Sequence, residues 1–264
     1  MTQADRLIKI GMPQMAGGCL SENWLLKELG GFHWDYLCNS LRCKSHELAD
    51  KEGRRLYATF VRVRLNLEGT IGDFSENDAL HLSIEMSRFG RSTLLSTVRL
   101  KSNTAVGTAT LMSTFSFRTQ ENNTSLAKSE PAVDYDSSIT QLSGTPGFFS
   151  EYSDVRKRFF SKRNDKKVST VYQINPFTDS NGANLLYFAS YQSIHDFLTF
   201  LNLSSFHTKK RDIFYFRNCD LDDKIVALPA SESVRSSTRV ERGDLLFRNS
   251  DGLSIAYVVT AKEY

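Results

Sequence analysis

Two stretches of this chain share one plan: a polar, glycine-bearing turn that runs directly into an apolar helix. The first spans residues 11–34, where G-M-P-Q-M-A-G-G-C-L precedes S-E-N-W-L-L-K-E-L. The second spans residues 175–191, N-P-F-T-D-S-N-G-A-N-L-L-Y-F-A-S-Y. Each is followed by segments of strand-like periodicity. One chain with two turn-then-buried-helix units, each followed by strands, predicts two copies of one small α+β fold, a sheet wrapped around a central helix.

The flanking pattern supports this organisation. Ser21 is placed to cap the first helix, with Glu22 in its first turn facing the positive end of the dipole. Trp24, Leu25 and Leu29 form one apolar face, and Gly30-Gly31 is expected to end or break the helix. Trp34, Leu37 and Leu41 recur at helical spacing and predict a second short helix. From Val61 the period becomes two: Val61, Val63, Leu65 and Leu67 alternate with Arg62, Arg64 and Asn66, and Leu80, Leu82, Ile84 and Met86 follow the same rule. Further strands are expected at 92–101 and 108–118. Residues 120–167 are polar, carry Pro131 and Pro146, and read as a connector with short ordered pieces around Phe148-Phe149 and Phe159-Phe160. Its basic cluster (Arg156, Lys157, Arg158, Lys162, Arg163, Lys166, Lys167) is either a solvated linker face or a surface for phosphates or an acidic carrier protein. In the second half, 168–174 reads as a strand and Tyr187, Phe188, Tyr191, Ile194, Phe197, Leu198 and Leu201 as one apolar helix. Strands follow at 212–217, 224–228, 238–249 and 253–261. The units are therefore 1–119, the connector 120–167, and 168–264.

Composition narrows the function classes. The net charge of +3 and the lack of an arginine-rich stripe argue against nucleic acid. No apolar run approaches the roughly 20 residues that span a bilayer. The amino-terminal segment lacks the apolar core of a signal peptide, so a cytoplasmic protein is expected. Cys19, Cys38, Cys43 and Cys219 form no C-x-x-C pair, and the five histidines are scattered, so neither a metal site nor a tightly bound cofactor is expected.

Asp179, Gly182, Asn184 and Tyr187 resemble the D-x-x-G-H-x-N-N-x-x-Y pattern of hot-dog thioesterases, with Ala183 where that pattern has histidine. More of the chain is covered by a second resemblance. G-M-P-Q-M at Gly11, S-E-N-W-L-L-K-E-L-G at Ser21, H-W at His33 and R-D-I-F-Y-F at Arg211 together resemble the double hot-dog acyltransferase/decarboxylases of polyketide biosynthesis. That resemblance implies a double hot-dog fold, a curved antiparallel sheet around a central helix, twice. It implies a malonyl or methylmalonyl donor on coenzyme A, decarboxylation, and delivery of the acyl group to an acyl carrier protein. It also implies a tyrosine that carries the acyl group, and the matching residue is Tyr57.

The chemistry needs few parts. Loss of carbon dioxide from a malonyl thioester leaves an enolate, which needs donors aimed at the carbonyl oxygen. A buried helix N-terminus supplies such donors, and Gly17, Gly18 and Gly182 would let backbone approach a ligand. Ser21 and Asn23 either bond the thioester oxygen or cap the helix. Asn175, Asp179 and Asn181 either orient the acyl group or satisfy the turn. His33 is either a ligand contact or a satisfied core histidine. Tyr57 shares its strand face with Thr59 and Val61, not with Arg62 or Arg64, and its activating group is not named by the sequence. The alternatives are a hot-dog thioesterase, a hydroxyacyl dehydratase using a His33–Asp179 pair, and a non-catalytic binder of carrier protein. Two units in one chain mimic a dimer, so monomer and homodimer both remain open.

Overall fold

A computed structural model describes residues 4–166, 168–201 and 205–264. In chain order the first half contains β1 (Ala4–Lys9), β2 (Met15–Ala16), β3 (Cys19–Leu20), α1 (Glu22–Ser40), β4 (Tyr57–Leu67), β5 (Ala79–Phe89), β6 (Thr93–Lys101) and β7 (Val106–Arg118). The connecting stretch contributes β8 (Leu126–Lys128), β9 (Thr140–Gln141) and α2 (Gly147–Phe159). The second half holds β10 (Tyr172–Gln173), α3 (Pro176–Asp179), α4 (Ser190–Thr199), β11 (His207–Tyr215), β12 (Lys224–Pro229), β13 (Val234–Arg235), β14 (Arg239–Arg248) and β15 (Ser254–Glu263).

The long strands form one sheet in the order β1-β5-β6-β7-β4-β11-β15-β14-β12-β10. The path is symmetric about its middle: β4 and β11 are the inner strands, and each half repeats the order outward. The two halves meet at the antiparallel β4/β11 seam, where Arg62–Asn66 pair with Phe214–Lys210. The main core packs α1 and α4 against one face of this sheet, through Leu25, Leu29, Leu37 and Ile194 against Val63, Leu65, Phe115 and Ile213.

Helix α1 starts as its sequence predicts. The Ser21 Oγ accepts from the Trp24 N–H at 3.2 Å, and Glu22 occupies the first turn. The helix does not stop at Gly30-Gly31, however, and no second short helix follows; it runs on to Ser40, 19 residues in all. Two helical glycines cost about 1 kcal/mol each relative to alanine, and packing holds Gly30 in place. A Cβ at Gly30 would lie 2.6 Å from two ring carbons of Phe188. The second helix differs the other way. It begins only at Ser190, so Tyr187 belongs to the preceding turn, while Phe197 is 41% and Leu201 62% exposed. The expected strand at 168–174 shrinks to Tyr172–Gln173.

The connector is also more ordered than its composition suggests. Helix α2 lies on the face opposite α1, across the seam. Phe148, Phe149, Tyr152 and Val155 pack on Val61, Leu95, Met112 and Phe214, and Phe159 packs on Val226, Leu245 and Phe247. One helix thus contacts both halves. Its anchor is Arg62, fully buried, whose guanidinium lies 3.9 Å from the Phe148 ring centroid and 4.3 Å from that of Phe214. Arg62 donates to Asp212 at 3.0 and 2.9 Å, to the Phe148 carbonyl at 2.7 Å and to Glu151 at 2.6 Å. Among the described residues, no helix is long and apolar enough to cross a membrane. Lys167 of the basic cluster lies outside the described residues.

Candidate functional site

Strand β4 decides where the site forms. Before Val61 its even residues, Leu56, Ala58 and Phe60, face the main core. Its odd residues, Tyr57, Thr59 and Val61, therefore face α2. A β-bulge follows: Phe60 pairs with Ser113 and Arg62 with Met112, which leaves Val61 as the extra residue. The bulge brings Arg62 and Arg64 onto the α2 face as well, where both ion-pair with Glu151. Strict alternation had placed these arginines opposite Tyr57, and the inserted residue is why they are not.

The same stretch of β4 leaves the sheet's middle. Pairing with β11 ends at Arg62, so Tyr57–Val61 and the segment from Tyr215 to Asn218 diverge. A cavity of about 1280 Å³ fills the cleft between them. Its inner part is bounded by Gly30, Trp34, Phe60, Tyr187, Phe188 and Tyr215. Its outer part runs between the hydroxyls of Tyr57, Thr59, Thr114 and Ser116 on the sheet and Phe149, Tyr152 and Arg156 on α2. The turn from Ser180 to Ala183 closes one side.

The charge of this wall is one-sided. Lys27, Arg55, Lys128, Arg156 and Arg217 line it, and among the described residues none of these makes an ion pair with a carboxylate within 4 Å. Lys157 and Arg248 also line it, paired with Asp154 and Asp251. No Asp, Glu, His or Cys is among the described lining residues. Burial lowers the pKa of Lys128 and Arg217, and neighbouring cations lower it further, Arg156 for Lys128 and chiefly Arg248 for Arg217.

The sequence-predicted residues divide accordingly. Tyr57, Asn181 and Gly182 line the cavity. The Tyr57 ring is flanked by the guanidinium groups of Arg55 at 5.3 Å and Arg118 at 5.9 Å. Asn181 shapes its turn, its Oδ1 accepting from the N–H groups of Ala183 at 3.0 Å and Leu185 at 3.1 Å. Asn123 and Arg118 hold the same turn from the first half through the carbonyls of Asn184 and Ala183.

The others lie elsewhere. Gly17 and Gly18, both at positive φ, form the exposed tip between β2 and β3. Asn23 bridges the two central helices, donating to the Ala189 carbonyl and to Ser193 Oγ, each at 3.1 Å. Asn175 caps α3 through the Phe177 N–H at 3.0 Å. Asp179 is buried behind the turn, where its carboxylate accepts from Tyr172 Oη at 2.9 Å and from the Asn175 N–H at 2.8 Å. The cavity meets the middle of α1, at Lys27, Gly30, Gly31 and Trp34, and not its N-terminus with Ser21. The donors expected at the α1 N-terminus therefore do not face it. The α1 cap is satisfied internally, and the shape of the seam places the opening further along the helix.

His33 is a core residue. Its Nδ1 meets Ser96 Oγ at 2.7 Å and its Nε2 meets Ser113 Oγ at 2.9 Å. Complete burial pushes its pKa down to about 3. No bond joins it to Asp179, so the dehydratase pair is not formed. A different pair exists that the sequence did not single out. His195 Nε2 lies 2.9 Å from Asp244 Oδ2, and its Nδ1 lies 3.1 Å from Arg211 Nη1. Because Arg211 can only donate, His195 accepts at Nδ1 and donates its Nε2 proton to Asp244. Arg211 also bonds Glu22 and Asp196, so this cluster ties α1 and α4 to β11. None of these side chains lines the cavity.

No protein-family model and no curated protein sequence matches the chain. Solved structures do. An oleoyl thioesterase (putative) from Lactobacillus plantarum superposes with a TM-score of 0.67 at 9% identity, over 99% of this chain and 95% of that one. The fold is a double hot dog. The 12:0-ACP thioesterase of Umbellularia californica gives 0.66 at 12% identity, over 99% and 94% of the two chains. An acyl-ACP thioesterase from Bacteroides thetaiotaomicron gives 0.63 at 11%, over 99% and 98%. The two units of this double hot dog are the symmetric sheet halves, each with its own helix.

Proposed function

We propose that this protein binds a malonyl or methylmalonyl thioester of coenzyme A in the seam cavity, decarboxylates it, and transfers the acyl group to an acyl carrier protein. One observation carries the reading: the cavity wall presents Tyr57 among five cations that lack a carboxylate partner, with no described carboxylate, imidazole or thiol beside them. Such a wall suits an anionic thioester and a tyrosyl acceptor. In this scheme Tyr57 Oη attacks the thioester carbon and loses its proton, and the thiol of coenzyme A leaves. The bond to the carboxylate then breaks, carbon dioxide departs, and the electron pair of that bond forms an enolate that takes a proton from water at carbon. The carrier thiol finally attacks the tyrosyl ester and returns the proton to Tyr57.

A second reading is hydrolysis, favoured by the full-length likeness of fold to proteins named as thioesterases. It requires a group to activate water. The nearest sequence candidate, Asp179, is already engaged by Tyr172 and Asn175. Transfer needs a base for the Tyr57 proton in the same way, so the likeness of fold favours hydrolysis and the Tyr57 wall favours transfer.

One experiment separates them. The protein is incubated with malonyl- and methylmalonyl-coenzyme A and phosphopantetheinylated carrier protein, and the carrier is weighed by intact-protein mass spectrometry. Acetyl or propionyl carrier is the expected product. Free acid with free thiol would establish the hydrolase instead, and binding without turnover a non-catalytic carrier-binding component. The Tyr57→Phe variant is expected to fold normally and to abolish transfer.

A further inference from the structure

Beside Tyr57, the outer half of the cavity contains a row of side chains that the acyl-transfer steps leave unassigned. In the pairing register Tyr57 of β4 stands beside Ser116 of β7, and Ser116 beside Lys128 of β8. One position along, Thr59 stands beside Thr114, and Thr114 beside Thr93 of β6. Paired residues share a face, so this row lies on the α2 side of the sheet. Thr59 and Ser116 bond each other. Thr114 is different: it is 4% exposed, it lines the cavity, and its Oγ1 has no hydrogen-bond partner. A buried hydroxyl without a partner costs about 1–3 kcal/mol unless something outside the protein satisfies it.

Two cations line the same cavity. The Lys128 ammonium makes no hydrogen bond or ion pair among the described residues, and Arg156 rests on the Phe160 ring at 3.9 Å with no carboxylate partner. Burial lowers the pKa of the Lys128 ammonium, and the charge of Arg156 lowers it further. Like charges held together in a partly desolvated cleft repel, and an anion between them would reverse the sign of that interaction.

We infer that Lys128 and Arg156, with the hydroxyls of Ser116 and Thr114, form an oxyanion-binding subsite beside Tyr57 that takes an anionic group of the ligand. The group is either a carboxylate on the acyl unit or a phosphate of the carrier arm. Its identity rests on the function proposed above; the subsite itself does not.

Calorimetric titration of the protein, Lys128→Gln and Arg156→Gln tests it with five probes: inorganic pyrophosphate, pantetheine, acetyl-pantetheine, malonyl-pantetheine and coenzyme A. Pyrophosphate is expected to bind the parent chain and to weaken by about tenfold or more in each variant, the effect of one lost charge-assisted hydrogen bond. Lys128→Arg should retain most of the affinity. A loss confined to malonyl-pantetheine, with acetyl-pantetheine unchanged, assigns the carboxylate. A loss confined to coenzyme A, with pantetheine unchanged, assigns the phosphate. Failure of pyrophosphate to bind the parent chain, or equal binding by parent and variants, overturns the subsite. Equal losses for neutral and charged pantetheines overturn it too. If pyrophosphate behaves as expected but no thioester binds, the subsite stands and the acyl-thioester function falls.

Discussion

Gly30 and Gly31 are adjacent, helical and both on the cavity wall, yet alanine should act on them with opposite sign. In each case the substitution adds about 1 kcal/mol of helix propensity. At Gly31 a Cβ meets nothing within 4 Å, so that gain stands. At Gly30 it would sit 2.6 Å from Cε1 and Cζ of Phe188. That ring has little freedom to withdraw: it is 6% exposed, and its centroid lies 4.3 Å from that of Phe60 and 4.9 Å from that of Tyr187. Overpacking of this kind costs about 1–3 kcal/mol. The net expectation is roughly 1 kcal/mol of stabilisation for Gly31→Ala and between no change and about 2 kcal/mol of loss for Gly30→Ala. Urea denaturation followed by circular dichroism reads both, and a thermal midpoint should move about 2–4 °C per kcal/mol for a chain of this size. Phe188→Leu in the Gly30→Ala background should recover part of the loss. A Gly30→Ala chain as stable as Gly31→Ala would refute the packing argument.

Three further outcomes are expected. His33 stays neutral in the fold down to about pH 3, whereas an exposed histidine titrates near 6.5. The unfolded chain thus binds the extra proton first, and stability should fall by about 2 kcal/mol between pH 7 and pH 5 through this residue. His33→Gln should flatten that limb of a stability–pH profile, and an unchanged slope would remove His33 from the account. Arg62→Met strips α2 of its anchor and leaves Asp212 and Glu151 to Arg64 alone, which should cost about 3 kcal/mol. Trypsin should then cleave faster at Arg156 and Lys157, and an unchanged cleavage rate would contradict the anchoring role. Arg211→Met, which leaves buried Glu22 without its guanidinium partner, should cost about 3–5 kcal/mol in the same denaturation assay.

Much of this molecule was legible because its signals are local. The Ser21 cap, the strict alternation from Val63 to Leu67 and from Leu80 to Met86, and the repeat of turn and helix all follow from neighbouring residues. Helix α2 was missed: Phe148, Tyr152, Val155 and Phe159 keep helical spacing after Pro146-Gly147, but the polar composition of the stretch concealed it. Other features depend on contacts distant in sequence. The passage of α1 through two glycines depends on Phe188, more than 150 residues away. The bulge at Val61 depends on how β7 registers with β4. The cavity gathers Lys27, Tyr57, Lys128, Arg156 and Arg217 from separate parts of the chain, so no spacing rule could group them. Tyr57 was singled out by resemblance, whereas Lys128 and Thr114 carried no mark at all.

The extra residue in β4 has a consequence for how this chain tolerates change. Upstream of it the strand shows its hydroxyls to the ligand space; downstream it shows its arginines to the anchoring helix. Shortening the strand by one residue there would therefore not trim a loop. It would transpose two surfaces, turning Tyr57 and Thr59 into the greasy interior or sending Arg62 and Arg64 after them, so a single codon separates a working wall from an inverted one.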